Sequence, residues 1–186
     1  ITIDVKDFGE NKVQELCDKY ENVSKPVNFH LIGHLQTNKV QYVVDKACLI
    51  HSLDSIKLAK EIQKEAAKKQ VVVNVLIEVN VAEEDSKFGL KVDDVIPFVE
   101  EIANYPNMHV NGLMTIAPFV ENPEDNRVHF RRLKQLSLDI ISKNIDNIDM
   151  NVLSMGMTND YKVAIEEGAT MVRVGTAIFG ARNYTV

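Results

Sequence analysis

Between positions 153 and 180 the chain reads LSMGMTNDYKVAIEEGATMVRVGTAIFG, and its chemistry is concentrated in two turns. Ser154 and Gly156 shape the first turn, and Gly175 and Thr176 shape the second. Arg173 lies in the final apolar run, two residues before Gly175. Small residues at such turns leave backbone N–H groups and hydroxyls open, which is what a phosphate group requires. The pattern therefore points to a phosphorylated ligand. Two alternatives stand beside it. Ser154, Gly175 and Thr176 taken alone also describe an ordinary strand-to-helix turn. Arg173 taken alone also describes an internal salt bridge, for instance to Glu78.

Other residue types capable of chemistry carry weaker patterns. His30 and His34 are four apart at a strand end and turn rather than on a helix, so a zinc pair is not expected. Met114 by itself reads as core, and His30 by itself as a hydrogen-bonded strand-end histidine. Cys17 and Cys48 match no metal spacing and read as reduced thiols of a cytoplasmic protein. A net charge of −6 without blocks of like charge argues against nucleic acid and anionic membranes. The most apolar run, 71–82, is broken by Asn74, Glu78 and Asn80 and does not span a bilayer.

The turns need elements to position them, and the chain supplies a regular rhythm. Strand-like runs fall at 5–8, 28–33, 48–53, 71–79, 109–116, 151–155 and 171–176. Between them lie amphipathic helical patterns, such as Leu58, Ala59, Ile62 and Ala66 on one face, and Phe130, Leu133, Leu136 and Ile140 on another. Strand–helix–strand units without hairpin signals predict parallel pairing. In 71–80 the odd positions Val73, Val75, Ile77 and Val79 are apolar, while Asn74, Glu78 and Asn80 share the opposite face. Strands of an open sheet covered on both sides should be apolar on both faces. A barrel strand can instead point polar groups into a ligand mouth. The expected fold is an α/β TIM-type (β/α)8 barrel with seven of its strands present, its first strand and helix lying before Ile1.

Five segments then carry a resemblance. They are D-F-G-E-N-K-V-Q-E-L from Asp7, F-H-L-I-G-H-L-Q-T-N-K from Phe29, S-K-F-G-L from Ser86, G-L-M-T-I-A-P from Gly112, and the closing L-S-M-G-M-T-N-D with V-R-V-G-T-A-I-F-G-A-R. In this order they resemble the pyridoxal phosphate homeostasis proteins, single barrels similar to the N-terminal domain of alanine racemase. The resemblance implies a pyridoxal 5′-phosphate site at the C-terminal mouth of the barrel. It places Ser154, Gly175 and Thr176 on the phosphate, with Gly156 shaping the first turn. Arg173 faces the pyridine nitrogen, and Asn11, His30 and Met114 line the ring. A guanidinium donates to that nitrogen without protonating it, which leaves the ring a weak electron sink.

The family's Schiff-base lysine sits in a Ser-Lys pair upstream of the D-F-G-E-N segment. The resemblance thus implies that this lysine precedes residue 1, and that the chain as written holds the cofactor non-covalently. The expectation is a cytoplasmic binding protein, residues 1–186 forming one N-terminally incomplete domain. It would be a monomer or weak dimer without robust turnover, with pyridoxal phosphate-dependent apo-enzymes as partners and no metal. Two alternatives differ in class. One is a fragment of a pyridoxal phosphate-dependent amino-acid racemase or decarboxylase. The other is a barrel enzyme acting on a sugar or nucleotide phosphate.

Overall fold

Seven strands lie parallel, each hydrogen-bonded to its sequence neighbours: β1 (Asp7–Glu10), β2 (Asn28–Leu31), β3 (Leu49–Leu53), β4 (Val73–Glu78), β5 (Met108–Met114), β6 (Ile148–Met157) and β7 (Met171–Arg173). The structure is a computed structural model and describes residues 5–84 and 87–180. Ser86 and Arg182, which belong to two of the quoted motifs, lie outside the described residues. Strict sequence order in an all-parallel sheet requires every crossover to have the same sense, which curls the sheet into a nearly closed barrel. The crossovers carry helices α1 (Val13–Asn22), α2 (Ile56–Lys69), α3 (Val92–Ile102), α4 (Arg127–Ser142) and α5 (Tyr161–Glu166), and α6 (Thr176–Phe179) follows β7. Among the described residues no helix is long and apolar enough to cross a membrane.

The helices form where the apolar spacing placed them. In α2, Leu58, Ala59, Ile62 and Ala66 are buried, and Ser55 caps the start by accepting from the Leu58 N–H. Burying Leu58 and Ile62 contributes about 1.5–3 kcal/mol each. The strand faces divide as a barrel requires. Val73, Val75, Ile77 and Val79 join the core between sheet and helices. Leu76 packs instead with Leu49 and Met114, flanked by Val152 and Met171, in a smaller cluster inside the barrel.

The strand boundaries shift from the expectation by up to three residues, β6 running 148–157 rather than 151–155, and the shifts at β1 and β7 bear on the site. β1 runs from Asp7 to Glu10 rather than 5–8, because it pairs residue for residue with β2 from Asp7↔Asn28 to Glu10↔Leu31. Backbone pairing carries it through Gly9 and Glu10, which a count of apolar residues undervalues. β7 ends at Arg173 rather than at 176, since Thr176 already begins α6. The Gly175–Thr176 turn is thus a helix start immediately beyond a short strand.

Candidate functional site

Alternation along β7 turns Arg173 toward the barrel interior, and its guanidinium is fixed at two points. Nη1 donates to Ser154 Oγ at 2.6 Å and Nη2 to the Thr115 carbonyl at 2.8 Å. Among the described residues Arg173 has no carboxylate within ion-pair distance, so the internal salt bridge to Glu78 is not formed. Burial lowers the Arg173 pKa to about 10, while Glu78 and Asp160 oppose the shift. The guanidinium remains charged at neutral pH.

Ser154 departs from its expected place. It is fully buried, and its hydroxyl meets Arg173 and His51, the latter at 3.0 Å, instead of standing open at the turn. The reason is strand alternation: Leu153 and Met155 join the outer core, so Ser154 points into the barrel. Beyond it, His51 Nε2 meets His30 Nδ1 at 3.0 Å, and His30 Nε2 meets Asp7 Oδ1 at 3.2 Å. The direction of this chain follows from its ends. Arginine can only donate and an ionised carboxylate can only accept. The tautomers that satisfy every contact between these ends have Ser154 donating to His51, His51 to His30, and His30 to Asp7. Hydrogen bonds, first from the Asn28 side chain and then from His30, hold the Asp7 carboxyl below its ordinary range against a smaller opposing effect of burial. Burial, then Arg173 and His30, push His51 down to about 2, so it stays neutral.

The remaining expected residues separate by depth. His30 has both ring nitrogens engaged and lies in β2, buried. Met114 is fully buried in the interior cluster and forms a floor beneath the mouth. Asn11 is exposed just past β1, its backbone close enough to Gly33 that a Cβ there would sit 2.2 Å from the Asn11 carbonyl oxygen. Gly156 adopts φ +90°, and a Cβ on it would lie 2.5 Å from the Ala164 Cβ, so the end of β6 needs glycine to let α5 approach.

At the second turn the front is open. A Cβ on Gly175 would meet nothing within 4 Å. Among the described residues the Gly175 and Thr176 amides have no hydrogen-bond acceptor, and the Ala177 N–H reaches Thr158 Oγ1 at 3.4 Å. Open amides at a helix start, an adjacent hydroxyl and a nearby guanidinium form a donor set suited to a phosphate and an electron-poor ring nitrogen. Thr158 and His51 were absent from the sequence reading. His51 could have been found as a polar residue at an inward position of an apolar strand, as Glu78 was in β4.

Glu78 closes the picture at the end of β4. It is 5% exposed, and burial pushes its carboxyl up to about 7, with Asp54 adding to the effect and Arg173 opposing it.

Comparison with known proteins accords with this geometry. Residues 2–183 match the alanine racemase N-terminal domain family. A pyridoxal phosphate homeostasis protein of Aquifex aeolicus is 50% identical over 181 residues, covering 97% of this chain and 78% of the relative. One from Pseudomonas aeruginosa is 37% identical over 181 residues, covering 97% and 76%. PipY of Synechococcus elongatus, solved with PLP bound, superposes with a TM-score of 0.86 at 28% identity, over 95% of this chain and 82% of that one. The same protein without PLP gives a TM-score of 0.88 at 29% identity, covering 95% and 83%. An alanine racemase of Clostridium difficile shares the fold at 12% identity, with a TM-score of 0.81, over 97% of this chain and 46% of that one. The chain belongs to the alanine racemase N-terminal domain family and, within it, groups with the pyridoxal phosphate homeostasis proteins.

Proposed function

We propose that the protein binds pyridoxal phosphate at the C-terminal mouth of the barrel and serves as a holder of the cofactor rather than as a catalyst. The observation that carries this reading is the fixed, inward-facing Arg173 just before an open Gly175–Thr176 turn. When bound, the group supplies an aldehyde and an electron-withdrawing pyridine ring. The Gly175 and Thr176 amides, joined by the Thr158 hydroxyl, would hold its phosphate. Arg173 would address the ring nitrogen, with Asn11 at the rim, Met114 beneath, and Gly156 keeping the first turn tight. Ser154 takes a different part from the one the resemblance gave it: it accepts from Arg173 and so orients the guanidinium.

The residues themselves support holding over turnover. Arg173 stays charged and donates a hydrogen bond without handing over its proton. His51 stays neutral, and both it and His30 are committed to partners in a chain that ends on Asp7. The printed names of the relatives add support for a role in cofactor homeostasis. In that role the recipients are apo-enzymes that require the cofactor.

Equilibrium dialysis with pyridoxal phosphate tests the reading. Loss of a charge-assisted hydrogen bond is worth about 1.5–3 kcal/mol, so Arg173→Ala should retain the cofactor at least about tenfold more weakly. Thr158→Val, nearly isosteric, should weaken it too. Unchanged retention in both variants overturns the site, and steady alanine racemisation by the purified protein overturns the non-catalytic reading.

A further inference from the structure

Asp7 opens β1, and its side chain is 62% exposed. It nevertheless terminates a line of buried polar groups. The His30 side chain beside it is 8% exposed, and His51 and Ser154 are fully buried. The line crosses β1, β2, β3 and β6 and reaches Arg173, the last residue of β7. From Asp7 to Arg173 its successive distances are 3.2, 3.0, 3.0 and 2.6 Å, each a hydrogen bond.

No member of the line can turn without losing a partner. Both ring nitrogens of His30 and of His51 are engaged, and the two rings meet edge to face, with centroids 5.3 Å apart and planes at 67°. Ser154 Oγ lies between His51 and Arg173, so its single proton goes to His51 and its lone pairs face Arg173 Nη1. In the opposite arrangement His51 would donate to Ser154, and the hydroxyl proton would stand against a guanidinium that accepts nothing. Keeping Ser154 as an acceptor for Arg173 therefore calls for an acceptor at the far end, beyond His30 Nε2. Asp7 Oδ1 is that acceptor, and the Asn28 side chain donates to the same oxygen at 2.9 Å. A charge-assisted hydrogen bond is roughly twice as strong as a neutral one, and each bond in such a chain strengthens the next by roughly 10–30%. A carboxylate at the outer end thus tightens the hold of Ser154 on Arg173.

We propose that Asp7 is a positioning residue for the cofactor site, fixing from the start of β1 the direction of the hydrogen-bond chain that holds the Arg173 guanidinium. The direction of the chain stands on this geometry alone. Its consequence for cofactor retention rests on the reading of the preceding subsection.

Nitrogen NMR of the isotope-labelled, cofactor-free protein reads the histidine rings directly, with His30→Gln and His51→Gln assigning their signals. A solved relative keeps the fold without PLP. The expected result is a proton on Nε2 of both rings in the parent. In Asp7→Asn the His51 Nε2–H signal should move upfield, although His51 is bonded to His30 and Ser154 rather than to Asp7. A purely local role of Asp7 would move the His30 signal alone. Asp7→Lys, which offers only donors, should move the His51 signal further. Equilibrium dialysis should show pyridoxal phosphate retained about threefold more weakly in Asp7→Asn and more weakly still in Asp7→Lys. Far-UV circular dichroism establishes that the variants are folded, and the parent's tautomers need no variant. A proton on Nδ1 of His51 in the parent, an imidazolium at His30, or a His51 signal unchanged in both Asp7 variants overturns the proposal. So does unchanged retention in both Asp7 variants when Arg173→Ala weakens it. Unchanged retention in Arg173→Ala overturns the cofactor site instead, and the ring signals then decide the direction of the chain.

Discussion

Replacing Glu78 with glutamine should make the protein more stable at pH 8 and leave it unchanged at pH 4. The carboxyl titrates from an ordinary 4.5 to about 7 in the fold, principally through burial. A raised value means that the native state binds the proton more tightly than the unfolded chain. The group's favourable contribution is therefore complete below about 4.5 and is lost as pH rises through about 7. At about 1.4 kcal/mol per pH unit, the interval from 4.5 to about 7 corresponds to about 3 kcal/mol. Glutamine keeps the shape and removes the charge. The groups facing Glu78 are Asp54, which raises its pKa, and Arg173, which lowers it; both remain in the variant. Urea unfolding of both proteins at pH 4, 6 and 8 gives the difference directly, because ionisations common to both cancel. The difference should grow from near zero to about 3 kcal/mol in favour of Glu78→Gln. A pH-independent difference, or one favouring the parent at pH 8, refutes the claim that burial raises the Glu78 carboxyl.

Three further outcomes follow from other groups. His51 has a lowered pKa in the fold, so its contribution is present above 6.5 and is lost as pH falls below that value; His51→Gln should flatten the loss of stability between pH 6.5 and 4, measured by urea midpoints. The same substitution disturbs the partner of Ser154, so pyridoxal phosphate retention should weaken by less than in Arg173→Ala, as equilibrium dialysis would show. Gly156→Ala adds strain at φ +90° and a contact 2.5 Å from the Ala164 Cβ, and should destabilise by about 2–4 kcal/mol in thermal or urea unfolding.

The alternation of apolar residues in 71–80 was enough to argue for a barrel, because a strand with one polar face cannot lie between two helical layers. The structure repeats that division, with Ile77 outward and Leu76 and Glu78 inward. Helices α2 and α4 were legible for the same kind of reason: their buried faces recur at the helical period. Arg173 stood out as the one charge in an apolar strand.

The part of Ser154 was not legible in the same way. Its neighbours in sequence form a phosphate-like turn, yet the face of β6 it occupies depends on where the strand begins pairing. The hydrogen-bond chain from Arg173 to Asp7 joins β7, β6, β3, β2 and β1, and His51 and Ser154 are 103 positions apart. No local pattern reports such a contact. Sequence alone determined the rhythm of elements, the inward arginine and the open glycine turn, since these depend on side-chain period and size. Tertiary structure decided which hydroxyl holds the arginine and which faces the Gly175–Thr176 turn, because those choices depend on strand register and on distances across the barrel.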